Sequence, residues 1–111
     1  MDDRELWHVT LTVGGEPHPV EEVRAALERL SHERPFMLSG RYGTELAEFS
    51  YWDEADDLAD AAALALRLWG EHRRTAGLPA WSVCGLQVLS RAEYIRRDHL
   101  VLAEPGSWQP F

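Results

Sequence analysis

Apolar and polar residues recur along this chain with two periods, and each period predicts a different element. Over residues 53–77 the apolar positions return at steps of three and four, which predicts a long helix with one apolar side. The positions on that side are Leu58, Ala61, Ala62, Ala65, Leu68, Trp69 and His72. Acidic residues crowd its start and basic residues its end, as the helix dipole favours. Gly77 and Pro79 then end it.

Two further helices are predicted on either side of this one. The first begins at Pro19, because proline suits the first turn of a helix, and ends near Glu33, ahead of Pro35. Its apolar side consists of Val20, Val23, Leu27 and Leu30. The second begins after Ser90, which forms a capping box with Glu93, and is expected to be short, reaching about residue 98.

Strict alternation of apolar and polar residues predicts the strands. The predicted strands cover residues 7–13, 36–42, 46–52 and 81–89. Gly43 lies between the second and third, which indicates a hairpin. The pattern of the fourth is weaker because Gly85 interrupts it and both of its faces carry apolar residues. A fifth strand, at the edge of the sheet, is expected at residues 99–103, followed by a loop and a tail.

The order strand, helix, strand, strand, helix, strand resembles the ferredoxin-like plait. That resemblance covers roughly residues 6–90 and implies an α+β fold, with a four-stranded antiparallel sheet and two helices on one face. It is a likeness of element order, and folds of this order carry many functions, so it implies none. We expect residues 1–98 to form a single α+β domain and residues 99–111 a C-terminal extension.

Composition narrows the classes of partner. The net charge of −8 is unfavourable for binding to nucleic acids and to anionic membranes, so neither partner is expected. The longest apolar run is interrupted by charged residues and is too short to span a bilayer. Cys84 is the single cysteine, which excludes an internal disulfide and favours a reducing cytoplasm. Since it lies on an apolar strand face, we interpret it as a small buried apolar residue.

No metal ion or other cofactor is expected. The five histidines are scattered and form no His-Glu-x-x-His motif. The acidic residues at 53–60 are explained by their place at a helix start, and they lack the glycine and spaced ligands of a calcium loop. The Gly14-Gly15 pair lacks the remaining residues of a phosphate-binding loop.

The sheet face opposite the two long helices, which we call the open face, holds the candidate chemistry. Its predicted members are His8, Thr10, Thr12, Met37, Ser39, Arg41, Leu46, Glu48, Ser50, Trp52, Val83, Gln87 and Leu89. In a plait the first and third strands are neighbours, so His8 and Glu48 are expected in one cluster with Arg41 beside them. A histidine oriented by a carboxylate can act as a general base, and Arg41 can hold an anion. The alternative is a solvated or partner-covered face of ordinary polar residues.

Apolar area on the open face predicts self-association. The face is expected to expose Met37, Leu46, Trp52, Val83 and Leu89, and monomers seldom leave so large an apolar patch in water. Either the C-terminal tail or a second copy must cover it, and we expect a homodimer. The expected contact surface for a partner or a ligand comprises Trp52, Met37, Gln87 and Trp81.

Two functions compete at this point. We favour a binding or assembly module that pairs through the open face and has no catalysis of its own. The alternative is a small cofactor-independent enzyme or small-molecule-binding protein that resembles dimeric α+β plaits. In that layout the His8, Glu48 and Arg41 group would line a pocket, whereas a flat contact buried by a second subunit would favour the module.

Overall fold

The computed structural model describes residues 5–34 and 37–103, and the side chains of residues 5–34 and 39–98. Its strands are β1 (Glu5–Gly14), β2 (Met37–Tyr42), β3 (Leu46–Ala55) and β4 (Ser82–Ser90). Its helices are α1 (Val20–Glu33), α2 (Leu58–His72) and α3 (Arg91–Ala103). The α+β class and the four-stranded antiparallel sheet predicted from the sequence are therefore confirmed.

The strands lie in the order β2-β3-β1-β4, so β1 and β3 are the central pair and β2 and β4 form the edges. β1 and β3 pair along their whole length, from Glu5 opposite Ala55 to Gly14 opposite Leu46. Residues that face each other across this pair have side chains on the same side of the sheet. The register therefore fixes which side chains meet on each face.

One sheet face, the core face, is covered by both α1 and α2. The strands and long helices contribute to this core Val9, Leu11 and Val13 of β1, Ala47, Phe49 and Tyr51 of β3, Val23, Ala26 and Leu30 of α1, and Ala65, Leu68 and Trp69 of α2, and the segment after α2 adds Ala76, Leu78 and Trp81. Phe49 stacks between Tyr51 and Trp69, with ring centroids 6.3 and 6.1 Å away. The predicted inward faces of β1 and β3 are thus confirmed. Those of the two long helices are confirmed except at their first residues, Val20 and Leu58, which are 41% and 52% exposed because they precede the part of each helix that packs on the sheet.

α2 is shorter than its sequence pattern predicts. Asp53 and Glu54 extend β3, where they face Trp7 and Leu6 of β1, and do not begin the helix. The helix starts after Asp57, whose side-chain Oδ1 accepts a hydrogen bond from the Asp60 backbone N–H at 2.8 Å. The partner strand β1 starts at Glu5 and offers backbone pairing to the end of β3, which outweighs the local helix signal.

The predicted fifth strand is wrong, because α3 continues through Ala103. The predicted cap is present, since the Glu93 backbone N–H donates to Ser90 Oγ at 3.1 Å. The Glu93 carboxylate also accepts hydrogen bonds from Arg96 and Arg97, one turn further along the helix. These pairs favour helix where the sequence pattern suggested its end. The loop and tail expected after residue 103 lie outside the described residues.

A β-bulge corrects two assignments on β4. Thr12 of β1 faces Gly85 and its neighbour Val13 faces Val83, so Cys84 is an extra residue on β4. The bulge turns Val83 toward the core, which contradicts its predicted place on the open face. It also leaves Cys84 exposed, which contradicts the predicted buried position. A bulge of one residue has this effect because side chains alternate along a strand.

Candidate functional site

Residues of the open face form rows that run across the sheet. The first row joins His8, Trp52 and Leu89, because Trp52 and Leu89 flank His8 on the neighbouring strands. The second and third rows are polar, and we call their members on β1, β2 and β3 the polar patch. The polar patch consists of Thr10, Thr12, Ser39, Arg41, Glu48 and Ser50. The predicted placement of these residues on the open face is confirmed.

α3 packs over the first row and forms an aromatic cluster with it. The Tyr94 ring lies 4.3 Å from the His8 ring and 5.1 Å from the Trp52 ring, measured between centroids. The His8 and Trp52 rings are 5.0 Å apart and meet edge to face. His8 is only 8% exposed as a result. The first row is therefore covered by the chain itself, and the open face is reduced to the polar patch and its margins.

The environment of His8 favours the neutral imidazole. Burial lowers the pKa of His8 below its ordinary value, because the charged ring loses its hydration. In the described part of the chain, no group bonds to His8 Nδ1, which is buried. A general base is normally oriented by a carboxylate at this nitrogen. His8 has the role of a packing residue in this arrangement.

The predicted cluster of His8, Glu48 and Arg41 forms only in part. His8 faces Trp52, whereas Glu48 faces Thr12. At roughly 3.3 Å per residue, the four steps from His8 to Thr12 separate the first row from Glu48 by about 13 Å. Arg41 and Glu48 do pair, with Nε to Oε1 at 3.1 Å and Nη2 to Oε2 at 3.4 Å. The imidazole and the carboxylate are too far apart to act as one catalytic group.

A shallow depression of about 270 Å³ lies at the centre of the polar patch, where β1, β2 and β3 meet. Its lining consists of Thr10, Ser39, Gly40, Arg41, Glu48, Phe49 and Ser50. The Ser39 and Ser50 hydroxyl oxygens are 2.7 Å apart and share one hydrogen bond across the β2–β3 pair. The depression offers hydroxyl groups, a guanidinium and a carboxylate, which suit recognition of a polar group.

Three of the four residues proposed as a contact surface have described side chains, and they are scattered. Gln87 is exposed on β4, and Trp52 is half-buried under Tyr94. Trp81 is only 4% exposed and belongs to the core, so its expected place on a surface is wrong. Its indole N–H donates to the Glu16 carbonyl at 2.7 Å. The side chain of Met37 lies outside the described residues.

The burial of Trp81 depends on Gly15, and this link was not visible in the sequence. A Cβ at Gly15 would stand 2.8 Å from Cδ1 of Trp81. Any larger residue at this turn would therefore displace the indole ring. The sequence pattern indicated a contact surface for Trp81 and did not indicate that Gly15 makes room for its indole ring.

Tyr94 is the functional-site residue that sequence reasoning missed. It is the single aromatic residue of α3 and lies in the second turn after the Ser90 cap. An aromatic residue at that position indicates that the helix packs on something. The sequence did not indicate which surface it covers, because that depends on the direction in which α3 leaves β4.

A second polar network joins the two long helices at their C-terminal ends. His72 Nδ1 lies 2.6 Å from Glu33 Oε1, and Thr75 Oγ1 donates to the same oxygen at 2.6 Å. These hydrogen bonds, first from Thr75 and then from His72, lower the pKa of Glu33. His72 lies at the C-terminal end of α2 and is half-buried, as its predicted place on the apolar side of the helix indicated.

Among the described residues, no group of His, Cys, Asp and Glu side chains could hold a metal ion. In the same part of the chain, every helix is too short or too polar to cross a membrane.

These features define a small α+β domain whose sheet has one face packed against two helices and a polar patch on the other. The chain belongs to the family described as domain of unknown function DUF8830, whose model matches residues 6–105. Comparison with curated proteins and with solved structures finds no match.

Proposed function

We propose that this chain is a binding module without catalysis of its own, and that the polar patch is its contact surface. The observation that carries the proposal is that the open face is divided into a covered part and an accessible part. Tyr94 of α3 covers the row of His8 and Trp52, whereas the rows that contain Ser50 and Glu48 remain accessible. A sheet face that is covered at one end and open at the other presents a bounded site.

Binding is a better account of the polar patch than catalysis. His8, the histidine on the open face of the described sheet, is enclosed by aromatic rings and lies about 13 Å from Glu48 along the strands. Among the described residues, the Ser39 and Ser50 hydroxyl groups bond to each other, and the one carboxylate in the depression, Glu48, is paired with Arg41, so no unpaired base is available there to activate a nucleophile. The same groups are suitable hydrogen-bond donors and acceptors for a bound ligand.

The first candidate occupant is a small ligand that carries hydroxyl or amide groups. The depression of about 270 Å³ is near the lower end of ligand-pocket volumes, so the ligand would be small. The only charges in the polar patch, on Arg41 and Glu48, neutralise each other. A ligand that carries hydrogen-bond donors and acceptors can therefore bond to Arg41 and to Glu48 without leaving either charge unpaired.

The second candidate occupant is another copy of the chain, docked face to face. Arg41 and Glu48 favour it, since a two-fold axis would allow each arginine to bond with the carboxylate of the other copy. Leu46, which is 51% exposed at the margin of the patch, would add apolar area. The apolar area is smaller than the sequence suggested, because Val83 faces the core and Trp52 is half-buried.

A thermal-shift screen with neutral polyols, small amides and small carboxylates tests the first candidate. We expect a neutral compound to raise the melting temperature, and Arg41→Ala to weaken its binding by about tenfold through loss of charge-assisted hydrogen bonds. Arg67→Ala, on the exposed side of α2, is the matched control and should bind normally. A ligand whose affinity is unaffected by Arg41→Ala, Glu48→Ala and Ser39→Ala would show that the polar patch is not its site.

Sedimentation tests the second candidate. In a face-to-face dimer, Arg41→Glu would place carboxylates opposite one another and should convert the dimer to monomer. Association that survives this substitution would exclude the polar patch as the dimer interface.

We also infer a ferredoxin-like plait and a cytoplasmic location. The plait is supported by the element order and by the packing of α1 and α2 on one sheet face. The location is supported by the single cysteine, Cys84, which is exposed and has no second cysteine with which to form an internal disulfide.

A further inference from the structure

β4 forms one edge of the sheet and is long for an edge strand. Among the described residues it pairs with β1 on one side only, so alternate backbone N–H and C=O groups point away from the sheet on the other. It contains nine residues, whereas the opposite edge strand β2 contains six. Backbone groups along such an edge are a template for another strand.

β4 also lacks the features by which edge strands usually avoid pairing. Charged residues, proline and short length protect most edges. The sequence of β4, Ser-Val-Cys-Gly-Leu-Gln-Val-Leu-Ser, contains no charged residue and no proline. β2 carries Arg41 and a register shift between Met37 and Ser39. The bulge at Cys84 protects only the first part of β4, and pairing with β1 is regular from Gly85 to Ser90.

The exposed apolar side chain of β4, Leu86, lies in this regular part. Leu86 is 37% exposed although it faces Leu11, a fully buried core residue. It therefore lies on the core face at the outer margin of the sheet. A strand added beside β4 would bring a side chain directly against Leu86 and cover it.

Symmetry fixes the register that two copies of β4 can adopt. A closed pair of antiparallel edge strands has its two-fold axis perpendicular to the sheet, so each face must meet the same face of the other copy. The axis must then pass midway between one residue and the same residue of the other copy. An axis at Gln87 uses the regular part of β4 and leaves the bulge outside it.

We propose that β4 pairs antiparallel with β4 of a second copy around a two-fold axis at Gln87, which joins two four-stranded sheets into one of eight strands. Leu86 of each copy then packs against Val88 of the other on the core face. The two Gln87 amides meet on the open face, where they can exchange hydrogen bonds. The net charge of −8 opposes association elsewhere, and β4 brings no charge to this contact.

This pairing is independent of the proposed function. The two-fold axis places both polar patches on the same side of the joint sheet and leaves both uncovered. Ligand binding at the polar patch therefore neither requires nor prevents it.

Charge substitutions at the axis test the proposal by sedimentation. The native chain is expected to sediment as a dimer, at twice the chain mass of 12.7 kDa. Gln87→Arg should raise the dimer dissociation constant at least about tenfold, because like charges would stand opposite each other. It should do so although it brings the net charge of the chain closer to zero. Ala63→Arg, on the exposed side of α2, makes the same charge change away from the edge and should leave the dimer intact.

A mixed sample provides the decisive result. Gln87→Arg and Gln87→Glu should each be monomeric alone and should form a heterodimer when mixed, since opposite charges then meet at the axis. A native chain that stays monomeric up to millimolar concentration would overturn the proposal. A dimer that resists both Gln87 substitutions would also overturn the proposal. A dimer that dissociates with Arg41→Glu alone would overturn it as well, and would identify the polar patch as the interface.

Discussion

The rings of His8 and Tyr94 lie 4.3 Å apart and tilt by 33°, and this contact joins the central strand β1 to α3. It places α3 on the opposite face of the sheet from α1 and α2. The two residues are far apart in the sequence, so this long-range contact is what holds α3 over the open face. The position of α3 decides which part of the sheet remains available to a ligand.

Tyr94→Ala should release α3 from the sheet while the rest of the domain stays folded. We expect a loss of about 1–3 kcal/mol in the free energy of unfolding, from lost apolar burial and aromatic contacts. Hydrogen exchange should then accelerate selectively at the α3 amides. Tyr94→Phe keeps the ring and is the matched control. Unchanged exchange in α3 after Tyr94→Ala would show that the aromatic cluster does not hold this helix.

His8 should make the domain less stable in mild acid. Its pKa is lowered in the folded chain by burial, so the unfolded chain binds a proton more readily. The stabilisation by neutral His8 is complete above its ordinary pKa of 6.5 and is lost as the pH falls toward the folded pKa. Denaturant unfolding at pH 7.5 and 5.5 should show a smaller decrease for His8→Gln than for the native chain. An NMR titration midpoint at or above 6.5 for His8 would contradict this.

Glu33 should contribute stability in a different pH range. Thr75 and His72 lower the pKa of its carboxyl, so its contribution is present above the ordinary carboxyl value of 4.5 and is lost as the pH falls further. Glu33→Gln should lower the melting temperature at neutral pH, and the difference from the native chain should shrink below pH 4.5. Thermal melts of both proteins across this range measure it. A difference that stays constant with pH would mean that the ionised carboxylate has no stabilising role.

Leu68→Asp should unfold the protein, because it places an unpaired charge between α2 and the sheet, where Leu68 is 4% exposed. The expected loss is more than about 3 kcal/mol, a large part of the stability of a small domain. Leu66→Asp, on the same helix at 53% exposure, is the matched control and should change stability by less than about 1 kcal/mol. Circular dichroism melts of the two variants distinguish them. Equal melting temperatures would contradict the packing of α2 against the sheet.

The sequence was sufficient for elements whose pattern depends only on a face being buried. Alternation in β1 and β3, and the three-four spacing in α2, follow directly from contact with one core. The placement of Ser50, Glu48 and Arg41 on the open face followed from the same alternation. Local periodicity was sufficient for these positions, because no other part of the chain changes the sheet face on which they lie.

Features that depend on the relative position of distant segments were not predictable in this way. The bulge at Cys84 arises from the register between β4 and β1, and it alone moves Val83 to the core. The separation of His8 from Glu48 is a matter of distance along the strands, which alternation does not report. Tyr94 covers His8 only because α3 turns back across the open face.

The most direct test of the account is a map of backbone amide shifts by NMR when a ligand from the screen is added. The largest shifts should fall on Thr10, Ser39 and Ser50, which line the depression, and Arg41→Ala should require about tenfold more ligand to produce them. Amides of the aromatic cluster, at His8 and Tyr94, should change little because α3 stays in place. Shifts confined to α2, or to the cluster under α3, would contradict the assignment of the polar patch as the contact surface.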